Sequence, residues 1–147
     1  FFATPELARR LKRGFPQSLH QTPMLLPMPA TELRRTLDQW FQSLRISPAI
    51  AGEFEDSALL KAFGESGRAV FPAPAAIAPE VCRHYGVTVV GDTSAVRERY
   101  YAISAERRVT HPGVVALSAT ARVDLFAAHH AAGARRPQRP RARTKAS

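Results

Sequence analysis

Residues 52–74, GEFEDSALLKAFGESGRAVFPAP, decide the fold. The stretch completes a buried strand over residues 49–54, continues as a short amphipathic helix bearing Leu59, Leu60 and Phe63, and ends in a second buried strand at Ala69, Val70 and Phe71. Asp56 or Ser57 caps the helix by accepting from amides of its first turn, and Gly64 and Gly67 close it. Strand, helix and strand in this order form a βαβ unit. Its right-handed crossover lays both strands parallel in one sheet and delivers their carboxyl ends to one edge, where open α/β sheets bind ligands. Residues 53–57 and 72–76 are therefore the first places to look for function.

Working outward toward the amino terminus, Leu33, Leu37, Trp40, Phe41 and Leu44 recur at intervals of three and four, with Glu32, Arg34, Arg35, Asp38 and Gln42 between them on the predicted solvent face. Thr31 caps this helix, Glu32 suits the positive end of its dipole, and Ser47-Pro48 ends the segment. Met24-Leu25-Leu26-Pro27 reads as a short buried strand stopped by Pro27 and Pro29. In residues 1–23, Leu7, Leu11 and Phe15 keep helical spacing among Arg9, Arg10, Lys12 and Arg13 until Gly14 and Pro16 break it. Toward the carboxyl terminus a helix is predicted over residues 77–85, begun near Pro79 and ended by Gly86, and then the β-branched run Val87-Thr88-Val89-Val90. Residues 97–104, with Tyr100, Tyr101 and Ile103, read as a longer strand, and His111-Pro112 opens a helix carrying Val114, Val115 and Leu117. Residues 127–147 are alanine, arginine and proline without core formers and read as a disordered tail.

The chain has 147 residues, 45% of them hydrophobic, which suits one domain with a real core. Its start at Phe1 reads as a cut in a longer protein. No apolar run approaches a membrane span and no signal-peptide order is present, so no membrane partner is expected. Cys82 is the one cysteine; no internal disulfide can form, and a cytoplasmic location is the simpler expectation. The formal charge of +9 comes largely from Arg135, Arg136, Arg139, Arg141, Arg143 and Lys145, so a polyanion surface is suggested by the tail and hardly at all by the folded part.

Three strand ends converge if the sheet is parallel: residues 28–31, 53–57 and 72–76. Helix starts follow two of them directly, and unpaired amides there attract anionic groups, so a small carboxylate or phosphate effector fits between Thr31 and Ser57. The same residues are also what helix caps require. Glu53, Glu55 and Asp56 gather carboxylates of the kind that bind hard cations, or form a solvated acidic turn. Cys82 and His84 sit two apart, a spacing at which helical side chains do not meet. There is no nucleophile elbow, no glycine-rich phosphate loop and no zinc spacing in the folded region, so neither an enzyme nor a cofactor is expected.

Three segments, MLLPMPATELRRTLDQWFQ at 24–42, GEFEDSALLKAFGESGRAVFPAP at 52–74 and YYAISAERRVTHPGVVAL at 100–117, resemble the carboxyl-terminal half of LysR-type transcriptional regulators, within them the subgroup that activates sodium/proton antiporter genes. The likeness covers most of residues 15–126. It implies an α/β, type II periplasmic-binding-protein-like effector domain that is incomplete here: a second subdomain and part of the first within residues 24–126, with residues 1–23 as a connecting segment from the truncated first subdomain. It carries the effector site onto Pro29, Ala30, Thr31, Asp56, Ser57, Phe71, Pro72 and Ala73. For the antiporter subgroup the signal is sodium or lithium, which would give Glu53, Glu55 and Asp56 a reason to cluster. It further implies a transcriptional activator that reads DNA through an amino-terminal winged helix-turn-helix missing from these residues and acts as a homo-oligomer. The competing expectation is a solute-binding protein of the same fold, distinguished by a signal peptide upstream of Phe1.

Overall fold

The computed structural model describes residues 1–98. The strand expected over residues 97–104 extends beyond them, and the helix opened by His111 and the tail at 127–147 lie outside the described residues.

A five-line sheet forms the middle layer. Strand β2 (Pro23–Pro27) pairs in parallel with β3 (Ala49–Phe54) on one side. On its other side Val70 bonds to it in parallel, donating from its nitrogen to Pro23 O at 2.9 Å and accepting from Leu25 N at 2.8 Å. Phe71 then exchanges backbone bonds with Phe2 in β1 (Phe2–Ala3), which pairs antiparallel with β4 (Thr88–Val89). The predicted strand at 69–71 thus survives only as single bridges, from Val70 to β2 and from Phe71 to the two-residue β1. The run at 87–90 shortens to two residues paired with β1. Strand β1 itself escaped the sequence reading: two residues have no period, and only the partners on either side make them a strand.

Successive residues of a strand point to opposite faces. Met24 and Leu26 join Phe1, Ala3, Val70 and Val90 in one core with Leu37, Trp40 and Phe41 of α2 (Glu32–Ser43) and Ala8 of α1 (Pro5–Leu11). Leu25, Phe71 and Phe2 join a second core with Leu60 of α3 (Ser57–Gly64) and Val81 of α4 (Ala78–Tyr85). The result is a three-layer α/β unit, with α1 and α2 on one face and α3 and α4 on the other. Right-handed crossovers require this division, since the chain runs outward from β2 to β3 and then back across β2 to Val70.

Strand β3 was expected to be buried. It is instead the sheet edge, with Ile50 at 53% exposure. A shift in register between Met24 and Leu25 leaves Ala51 without a partner of its own, a bulge of the kind that bends edge strands. On α3 Leu60 and Gly64 face the core; Leu59 and Phe63 are exposed, and the Phe63 ring leans on Phe54 at 5.1 Å. Helix α2 ends before Ser47-Pro48. Arg45 adopts φ 56°, Ile46 N reaches Phe41 O at 2.8 Å and Arg45 N reaches Gln42 O at 3.0 Å, the paired bonds of a Schellman motif, with Ile46 buried beneath it. Gly86 closes α4 at φ 62°, where glycine has no Cβ to hinder it.

Candidate functional site

The carboxyl ends of β2, β3 and the 70–71 bridge share one edge, as parallel pairing requires. From β2 the chain turns toward β3 over one face, whereas from Phe71 it turns toward β4 over the other. The loops after β2 and after Phe71 therefore part in opposite directions, and the topological switch point of the sheet, the place where open α/β sheets form a crevice, lies between them. Residues 28–31 and 72–76 border it. Asp56 and Ser57 stand one strand further out, joined to the first loop by a hydrogen bond from Met28 N to Phe54 O of 2.9 Å.

Each expected residue has a definite place at this edge. Pro29 and Ala30 are exposed, and Pro72 and Ala73 are half-buried. Thr31 caps α2: its Oγ1 accepts from Arg34 N at 3.2 Å and donates to Met28 O at 2.9 Å, which fixes the turn of the β2 loop. Asp56 caps α3, with Oδ1 accepting from Ala58 N at 2.5 Å and Leu59 N at 3.2 Å. Ser57 is the first residue of that helix, and its hydroxyl accepts from Lys61 Nζ at 3.3 Å. Phe71 is placed differently from the rest. Its side chain has no exposed surface, its ring stacks on Phe2 at 5.7 Å, and both of its backbone groups are paired with Phe2. It supports the crevice from below and offers nothing to a ligand.

The acidic trio is not assembled as a cation cage. Glu53 Oε1 accepts from Arg34 at 2.6 Å, the Asp56 carboxylate is held by the α3 amides, and Glu55 is exposed. Among the described residues no group of three or more His, Cys, Asp and Glu side chains is arranged to hold a metal ion. An open depression of about 570 Å³ lies against this turn, lined by Glu53, Phe54, Glu55, Asp56 and Leu59. It borders the outer strand and not the switch point. Cys82 is half-buried against the second core, and the ring contact of His84 is with Tyr85 at 4.7 Å, so no thiol–imidazole pair forms.

Arg34 is the residue that sequence periodicity misplaced. Expected on the solvent face of α2, it is 6% exposed. Nε binds both oxygens of Asp38 at 3.0 and 3.1 Å, and Nη1 binds Pro27 O at 2.9 Å as well as Glu53. Burial works against the guanidinium charge, but the hydrogen bonds to Glu53 and Asp38 outweigh it and hold its pKa above the ordinary arginine value. One planar fork thus ties the ends of β2 and β3 to the first turns of α2. Asp38 four residues later was the local signal; Glu53, nineteen residues away, left none.

The model of the LysR substrate-binding domain matches residues 1–125. The chain belongs to this family. Within the family, the chain is 37% identical over 115 residues to the transcriptional activator protein NhaR of Escherichia coli K12, and equally to NhaR of Shigella flexneri. Each match covers 78% of this chain and 38% of the relative, so this LysR substrate-binding chain spans well under half the length of the curated relatives it matches. No solved structure matches it. Among the described residues no helix is long and apolar enough to cross a membrane.

Proposed function

We propose that this chain is the effector-sensing regulatory part of a LysR-type transcriptional activator of the NhaR kind, and that a small effector occupies the crevice between residues 28–31 and 72–76. The observation that carries the reading is the switch point itself, where two loops leave one sheet edge in opposite directions above a finished core. The finer architecture belongs to the same proposal: a type II periplasmic-binding-protein-like effector domain whose second subdomain, expected at roughly residues 24–91, also takes in β1 and α1, which share its sheet and first core, with part of the first subdomain further along the chain. No bond is made or broken in this role. A ligand bound better by one closure of the crevice than by another shifts a homo-oligomer on DNA between two arrangements, and DNA is reached through a winged helix-turn-helix outside these residues.

Sodium or lithium is the effector in the NhaR-like reading. Glu53 is engaged by Arg34 and Asp56 by the α3 amides, so the ligands of such a cation would be carbonyl oxygens of the crevice loops and not the carboxylates of the acidic turn. Two measurements test the proposal. The coding sequence in frame upstream of Phe1 is expected to encode a winged helix-turn-helix; a signal peptide there would replace the regulatory reading with that of a secreted solute-binding protein. Melting of the protein is expected to rise in lithium or sodium chloride over choline chloride at equal ionic strength, and the rise to vanish in Ala30→Trp, which fills the crevice mouth. A rise that persists in Ala30→Trp would move the site elsewhere.

A further inference from the structure

Helix α1 and the turn after it carry a feature that the effector crevice does not use. Ala8 is buried, and Leu7, Leu11 and Phe15 pack against the first core. Arg9, Arg10, Lys12 and Arg13 all stand exposed on the outward side. The ion pairs seen among the described residues, at Arg34 and Arg83, include none of the four cations of this ridge. The helix dipole accounts for Arg9 and Arg10 in the last turn of α1; Lys12 and Arg13 lie past its end, in the turn Lys12–Gly14. Four like charges within five residues repel one another, and a bound polyanion removes that repulsion.

From this we infer that the ridge Arg9, Arg10, Lys12 and Arg13 is a contact surface for the phosphate backbone of duplex DNA. The apolar side of α1 is spent on the core, which leaves nothing to insert into a lipid surface. The one nearby aromatic ring, Phe15, packs on Phe1 at 5.8 Å and Trp40 at 6.2 Å, so no stacking platform for single-stranded bases is on offer. Spaced cations without aromatic or apolar companions suit the regular phosphates of a duplex and carry no base preference. The choice of duplex DNA rests on the regulatory reading above. The contact would add affinity to whatever element reads the sequence.

The test uses the whole 147-residue chain and a fluorescent duplex of random sequence, with affinity measured against salt. Replacing Arg9, Arg10, Lys12 and Arg13 by Gln is expected to flatten the slope of log K against log salt by up to about 4, one phosphate per cation, so that between about 50 and about 200 mM salt the unmodified chain loses about 100-fold more affinity than the variant. Lysine at Arg9, Arg10 and Arg13 should keep the slope, which a loss of helix structure would not. A second variant, with Gln at Arg135, Arg136, Arg139, Arg141, Arg143 and Lys145, should retain a slope that the ridge substitutions then remove. An unchanged slope in the ridge variant, absence of binding by the unmodified chain at low salt, or preference for phosphatidylserine vesicles over duplex at equal salt would each overturn the inference. None of these outcomes depends on effector binding in the crevice, which the melting experiment reads separately.

Discussion

Arg34 satisfies three acceptors from three elements, and removing it takes that donor from Asp38 on the helix and from Glu53 and Pro27 O at the end of the sheet. Glu53 keeps a third of its side-chain surface in water, which moderates the loss. Arg34→Met is expected to lower stability by about 2 kcal/mol, read as a lower urea midpoint at unchanged slope. Arg34→Lys should recover only part of this, because an ammonium lacks the planar fork that reaches all three acceptors. Full recovery by lysine would reduce the contact to simple charge pairing. A second residue-scale case is Gly64, where an added Cβ would collide with the Phe71 ring. Alanine is the better helix former, yet Gly64→Ala should destabilise by about 1–3 kcal/mol, since Phe71 is wedged in the core and cannot retreat. A melting temperature that rose instead would mean that the second core has slack.

At the scale of elements, the loops of the crevice are set by helix caps and the sheet by the inequality of its strands. Thr31→Ala is expected to cost about 1 kcal/mol, and Asp56→Ala a similar amount, because each frees amides that the side chain now satisfies. Arg45 occupies the left-handed position that usually takes glycine, so Arg45→Gly should stabilise by about 1 kcal/mol, measured by urea unfolding; a loss would show that the Arg45 side chain matters more than its backbone. The edge position of β3 makes a paired prediction: Ile50→Thr should change stability by less than about 0.5 kcal/mol, while Leu26→Ala, at a buried position of the inner strand β2, should cost about 2–5 kcal/mol. Equal losses at the two positions would contradict the edge assignment.

At the scale of the whole described unit, two apolar cores lie on opposite faces of one sheet and share its strands, since Met24, Leu25 and Leu26 belong to them alternately. Neither core can melt while the other keeps its strands. Urea unfolding followed by the fluorescence of Trp40, which sits in the first core, should therefore coincide with unfolding followed by helix ellipticity, to which both faces contribute. Separated transitions would mean that the layers are independent. The same architecture places the proposed effector site. Helices divided between the two faces create the switch point, and the switch point fixes which loops part.

The sequence alone determined the strand–helix alternation, because apolar spacing of two or three to four residues is local and survives at Leu33, Leu37, Trp40 and Leu44 as at Met24, Leu25 and Leu26. It also determined the cap at Thr31 and narrowed that of α3 to Asp56 or Ser57, since caps need only neighbouring amides, and it pointed to the loops at the strand ends. Only the tertiary structure decided that β3 is an edge, that Phe2 and Ala3 are a strand, that Phe71 is core beneath the crevice, and that Arg34 turns inward to Glu53. Each of these depends on partners distant in the chain, and a residue pattern carries no record of a partner that lies many residues away.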